Sequence, residues 1–218
     1  MTYVKYTSGG TTAEITPSVS ANAMTLVGSK PAVVVATGGA TGMNLNTSTK
    51  VGQVTITADA KGDIKVRQLN FAIGYSGYST SPTSIASAFL ALGGQSTAIS
   101  NSLCTVAGTT TNVVCRFGES GTAPTDGDAF TYANDFRVGA GQSQQFDLYI
   151  TTAGGANTGT SKAQITSSLY SGASSTSGTA STTSSFLWDD TSTNGDSATG
   201  LKNTLIYNFP TNAYSVSQ

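Results

Sequence analysis

Between Gln144 and Thr152 apolar and polar residues alternate one for one, with Phe146, Leu148 and Ile150 set against Asp147, Tyr149 and Thr151. A strand sends successive side chains to opposite faces, so this pattern describes a strand with one face buried. Val51–Ala58 repeats it through Val54 and Ile56, and Asp63–Ile73 begins it with Ile64 and Val66. In the latter the phase then slips, continuing as Leu69, Phe71 and Ile73. A one-residue slip flips every later side chain to the other face, so a β-bulge is expected near Arg67–Gln68. Ala60–Asp63, "AKGD", reads as the turn of a hairpin between these two runs.

Further strands are predicted at Ala32–Thr37, Ser87–Leu92, Ala98–Val106, Asn112–Phe117, Ala129–Tyr132, Asp135–Val138, Lys162–Tyr170, Ser184–Trp188, Asn203–Phe209 and Ala213–Val216. Gly, Asn, Asp and Pro clusters separate many of them. One stretch invites another reading. Ser81–Gly94 is alanine-rich, Ser84 can cap and Gly93–Gly94 can stop, which suggests a short helix. The expected fold is all-β, an antiparallel two-sheet sandwich of jelly-roll or immunoglobulin-like type. At 218 residues the chain suits one large domain of this kind. The expected division is an extended N-terminal arm over 1–30 and a sandwich over 31–218. Ser171–Ser185 is almost devoid of apolar residues and reads as an exposed loop.

Composition narrows the function. Charged residues make up 10% of the chain, against ~25% in typical soluble domains. Ser and Thr fill about a third of it, which suits pleated surfaces and a surface wetted by hydroxyls. The net charge is −1, and the closest basic grouping is Lys61, Lys65 and Arg67. Nucleic acid is thereby excluded as a partner, since phosphate binding needs a concentrated positive face. No run approaches the ~20 apolar residues of a membrane span. "MTYVKYTSGG" has neither a basic start nor an apolar stretch, so an exported form is expected to carry this as its mature start. Cys104 and Cys115 flank a Gly/Thr-rich turn between two β-like runs and are expected to form a disulfide.

Little catalytic chemistry is available. The chain has no histidine, which removes His-based triads and the usual zinc sites. "DDTS" at Asp189–Ser192 occurs once, whereas an aspartic protease needs two such aspartates. In "DTSTNGD" Asp190, Ser192, Asn194 and Gly195 occupy positions 1, 3, 5 and 6 of an EF-hand-type loop, with Asp196 beside them, but Leu201 stands where the bidentate Glu belongs. The segment is half a Ca²⁺ site, and an Asx turn is the plainer reading. Thr125–Phe130 is a weaker candidate of the same sort. Trp188 follows Phe186 and Leu187 and is expected to be a core anchor rather than a sugar-stacking platform. Asn46-Thr47-Ser48 is a single glycosylation sequon.

"VGQVTITADAKGDIKVRQLNFAI", "GQSQQFDLYITTAGG" and "SSFLWDDTSTNG" resemble elements of Ser/Thr-rich β-domains in surface proteins of uncultivated, ultra-small bacteria. That resemblance implies export and a role on or outside the cell envelope, with no catalytic residues. More distantly, the layout is similar to pilins that polymerise by donor-strand exchange. On this reading Tyr3, Val4, Tyr6, Ile15 and Val19 would supply the arm's contacts to a second copy. The expectation is a non-enzymatic, extracellular or cell-surface subunit with copies of itself as partner and no obligatory cofactor. A monomeric adhesin or carbohydrate-binding module, with glycans as ligands, is the alternative, and a viral capsid or tail protein the third.

Overall fold

The computed structural model describes residues 4–8, 11–15, 27–37, 39–41, 46–76, 84–107, 112–117, 136–153, 163–169, 177–178, 186–190, 200–202, 206–210 and 212–217. Every regular element among them is a strand. In chain order these are β1 (Val4–Ser8), β2 (Thr11–Ile15), β3 (Ala32–Val35), β4 (Gly39–Thr41), β5 (Ser48–Thr57), β6 (Ile64–Ser76), β7 (Ser84–Leu92), β8 (Ser102–Ala107), β9 (Asn112–Phe117), β10 (Phe136–Val138), β11 (Ser143–Ala153), β12 (Gln164–Leu169), β13 (Ser177–Gly178), β14 (Leu187–Asp190), β15 (Gly200–Lys202) and β16 (Ala213–Ser217).

Two antiparallel sheets pack face to face. One has the order β3-β5-β11-β7. The other contains the path β4-β16-β12-β6, with β9 and then β8 beyond β6, and its β4–β16 step is parallel. Taken in chain order, β3, β5, β6, β7, β11, β12 and β16 fill the A to G places of an immunoglobulin-like sandwich, A-B-E-D on one side and G-F-C on the other. The jelly-roll alternative is thereby set aside. β6 is long enough to serve two neighbourhoods. Its first half lies between β10 and β14, its second between β9 and β12.

The core is the one the alternation predicts. Val54 and Ile56 of β5 and Phe146, Leu148 and Ile150 of β11 meet Ile64, Val66, Leu69, Phe71 and Ile73 of β6, with Ile165 and Val216 beyond. Trp188 is fully buried, as expected of an anchor. The bulge is where the phase slip put it. Leu187 pairs with Gln68 and Trp188 with Val66, so Arg67 is the extra residue, and Val66 and Leu69 both stay in the core.

Several expectations are corrected. Residues 84–92 form strand β7, paired along β11 from Ala153 to Phe146, and not a helix. The core needs Ile85 and Leu90 on one side of an extended chain, and that tertiary demand overrides alanine's helical preference. Ala60–Asp63 is not a hairpin turn, because β5 and β6 lie in different sheets and the turn carries the chain across the end of the sandwich. Residues 206–210 form a turn instead of the end of a strand, and Asn208 at φ 56° breaks the extended path there. The strand expected from Ala98 starts at Ser102, with Ala98 only bridging to Ala91. Within the expected N-terminal arm, β1 pairs antiparallel with β2 in a two-stranded sheet of its own. The expected strand Ala129–Tyr132 and the loop Ser171–Ser185, apart from β13, lie outside the described residues.

Candidate functional site

The sheet ends are the places where this fold can still make backbone hydrogen bonds. Ala36 N–H donates to the Gln53 carbonyl at 3.0 Å. In an antiparallel pair such contacts recur every second residue, so Ala32 and Val34 face β5 with their backbone groups. Val33 and Val35 therefore direct theirs away from β5, to the side where no described strand of that sheet lies. The Asn212 side-chain amide donates to the Val35 carbonyl, as this geometry requires. Pro31, just before the strand, has no N–H to offer. The edge thus presents the Val33 N–H and C=O and the Val35 N–H between two stops. Val34 stands beside them 61% exposed on the outer face.

The opposite end of the same sheet, β7, is covered over its second half. Gly93 N–H donates to the Gln145 carbonyl, which turns the groups of Leu90 outward, and Ile99 N–H bonds the Leu90 carbonyl at 2.9 Å. The Ala91–Ala98 bridge continues that cover. In the larger sheet, β8 is an end strand with Val106 exposed, fixed to β9 by the disulfide between Cys104 and Cys115, whose Cα atoms lie 3.9 Å apart.

Among the described residues, the strands of the N-terminal hairpin pair only with each other. Its register pairs Val4 with Ile15 and Tyr6 with Ala13, so its apolar residues occupy one alternate set of positions, while Lys5–Glu14 and Thr7–Thr12 fill the other. Of the expected arm contacts, the structure brings together Val4, Tyr6 and Ile15 in this hairpin, and Tyr3 and Val19 lie outside the described residues.

A second cluster is buried and polar. The Arg67 Nη2 donates to Asp189 Oδ2 at 2.8 Å, and Arg116 Nε to Gln68 Oε1 at 3.2 Å. Burial pushes the Asp189 carboxyl above the ordinary carboxylate range, and Arg67 partly offsets this. Asp190, the expected first Ca²⁺ ligand, accepts the Gly28 N–H through Oδ2, while Ser192, Asn194 and Asp196 lie outside the described residues, as does Thr125–Phe130. Among the described residues no group of three or more His, Cys, Asp or Glu side chains could hold a metal. The described residues contain no helix long and apolar enough to cross a membrane.

Sequence reasoning missed two of these features. β3 is visible as an apolar run, but nothing local marks it as a sheet end. Arg67 and Asp189 lie 122 positions apart, and neither the bulge signal at one nor the DDTS motif at the other marks them as a pair.

No family model matches this chain, and no curated protein matches it. Among solved structures it is similar to one described as "AvmM Catalyzes Macrocyclization in Alchivemycin A Biosynthesis", at 12% identity, over 75% of this chain and 78% of that one, with a TM-score of 0.26.

Proposed function

We propose that this chain is a structural subunit of an extracellular filament or surface layer, whose copies join by β-strand addition of the N-terminal segment. One observation carries the reading. β1 and β2 pair with each other and join neither sandwich sheet, yet their apolar residues share one set of alternate positions. An isolated two-stranded hairpin is marginal in water and gains stability by laying an apolar face on something else. The remaining features agree with that use. With 10% charged residues, copies can approach without strong repulsion. The cross-strand disulfide belongs to an oxidising compartment such as the cell exterior. The test is electron microscopy and light scattering on the full chain beside a variant lacking residues 1–27. Ordered fibres or sheets are expected from the first and dispersed monomers from the second. Monomers from both would sink the reading.

A monomeric adhesin or carbohydrate-binding module is the second reading, favoured by Tyr207. It is 84% exposed in the turn that leads into β16, in the F–G position where sandwiches of this type carry binding loops. Glycan arrays with and without Ca²⁺, on wild type and Tyr207→Ala, test it: binding lost in the variant would support this reading.

A further inference from the structure

We propose that the acceptor for the N-terminal hairpin is the outer edge of β3 on a second copy of the chain, in a register centred on Val33. The inference rests on the assembly reading above and goes further by naming the edge. It begins from a comparison of sheet ends, in which β8, also uncharged, lies against β7 and serves below as the control edge. β7 is covered over its second half by residues 95–99. β10 is three residues long and carries Arg137, 69% exposed in its side chain, and charge on an edge opposes pairing. β3 has no charged residue, and its outward groups belong to Val33 and Val35. Edge strands without charge, bulge or cover are templates for another strand.

The two stops fix the register. Pro31 has no donor on one side, and the Val35 carbonyl is held by Asn212 on the other. Among the described residues, what remains is the paired N–H and C=O of Val33 and one N–H at Val35, a set of three that a five-residue strand such as β1 or β2 can meet. Val34, exposed on the outer face, lies next to that ladder and gives an incoming apolar residue something to cover.

The chain's own path argues for a neighbour as the source. Ser29 Oγ donates to the Gly62 carbonyl at 2.6 Å, and Gly28 N–H donates to Asp190 of β14 in the other sheet. Upstream of β3 the chain is therefore led across the end of the sandwich toward β14, away from its own β3 edge. Residues 16–27, upstream of these ties, can extend to at most about 40 Å, longer than the ~33 Å of a ten-residue strand, so an adjacent copy is within reach. A donor at one place and an acceptor at another make a heterologous contact, which propagates instead of closing.

The test places a guard charge on the edge. Val34→Lys alters an exposed side chain and leaves the β3–β5 ladder intact; circular dichroism and melting temperature confirm folding. The full-length variant is expected to need at least about tenfold more protein to assemble. Val106→Lys, on the β8 edge, should stay within about twofold of wild type as the matching control. Peptide 1–16 in excess should dissolve wild-type assemblies by occupying the edge. A Tyr6→Cys/Val34→Cys chain should form a disulfide between two chains through the introduced thiols. Val34→Lys assembling like wild type, while loss of residues 1–27 still abolishes assembly, would overturn the β3 acceptor and leave the filament reading standing. A link between the two introduced thiols within one chain would overturn the second copy as occupant. A wild type that never assembles would remove the underlying reading itself.

Discussion

Ser167 shows how one hydroxyl can take the place of a covalent tie. In antibody domains a disulfide joins the B and F strands across the core. Here those strands are β5 and β12, and Ser167 Oγ donates to the Val51 carbonyl between them. Val51 is the bulged residue of β5, because Leu148 pairs with Gly52 and Tyr149 with Lys50. A bulge takes a residue out of the ladder, and its buried carbonyl needs another donor. The sheets approach closely at this point: a Cβ on Gly52 would lie 2.8 Å from Ser167 Oγ and 3.1 Å from Leu148 Cβ. Ser167→Ala should therefore cost about 1–3 kcal/mol in urea unfolding. Gly52→Ala should cost a similar ~1–3 kcal/mol by overpacking. The double variant should lose less than the two together, because removing the hydroxyl relieves part of the crowding. Two carboxylates titrate in opposite senses. The Arg137 guanidinium and then the Ala140 N–H hold Asp63 below its ordinary value of 3.8. The folded chain thus binds that proton less well, and the stabilisation present above 3.8 is lost as pH falls through the lowered value. Asp63→Asn should flatten the loss of stability below about pH 4 in pH-dependent urea midpoints. Asp189 is raised by burial, so its contribution favours folding in acid and declines as pH rises from 3.8 through the raised value. Asp189→Ala takes a charge-assisted hydrogen bond from the buried Arg67 guanidinium and should cost about 1.5–3 kcal/mol in urea unfolding.

At the level of elements, the disulfide gives a direct prediction. It joins directly opposed residues of β8 and β9, with a sequence separation of 11. Replacing both cysteines with alanine should cost about 3 kcal/mol in thermal or urea unfolding, and the native chain should show no free thiol with Ellman's reagent. The elements also show what the sequence carries and what it does not. β11 was legible because one face is core and the other is not, and Phe146, Leu148 and Ile150 record that directly. The Arg67 bulge was legible because a slip in phase is a local event. β7 was legible only in part: Ser87–Leu92 reads as a strand, but the alanines of Ser81–Gly94 also suit a helix, and the pairing with β11, far along the chain, decides between the two. The turn at Ala60–Asp63 has residues that suit a hairpin and a sheet-to-sheet crossing equally well. Its Asp59 carbonyl accepts N–H groups from Gly62 and from Gly141, and only the second of these, a distant contact, marks the crossing. The candidate site was half legible. The apolar positions of the N-terminal segment are in the sequence, but the edge at β3 exists only because β5 takes one of its sides.

Across the whole molecule, few strand pairs join neighbours in the chain. Among the described residues these are β1–β2, β8–β9 and β14–β15. The sandwich itself is made by distant partners: Thr57 with Ser143, Phe71 with Leu169, Ile150 with Ala88. Each such pairing closes a long loop before it returns any stabilisation, so the chain should fold slowly, on the ms–s scale of all-β sandwiches. Stopped-flow fluorescence of the single Trp188 would follow it, since that side chain passes from water to full burial. A rate in the microsecond range would contradict this. During that interval β6, which needs four different neighbours, has uncovered backbone along both sides. The order in which those neighbours arrive is thus a kinetic hazard, and a rapidly formed β8–β9 hairpin, locked by its cystine, would give β6 its first native partner and shorten the period in which the nascent chain can pair wrongly with another.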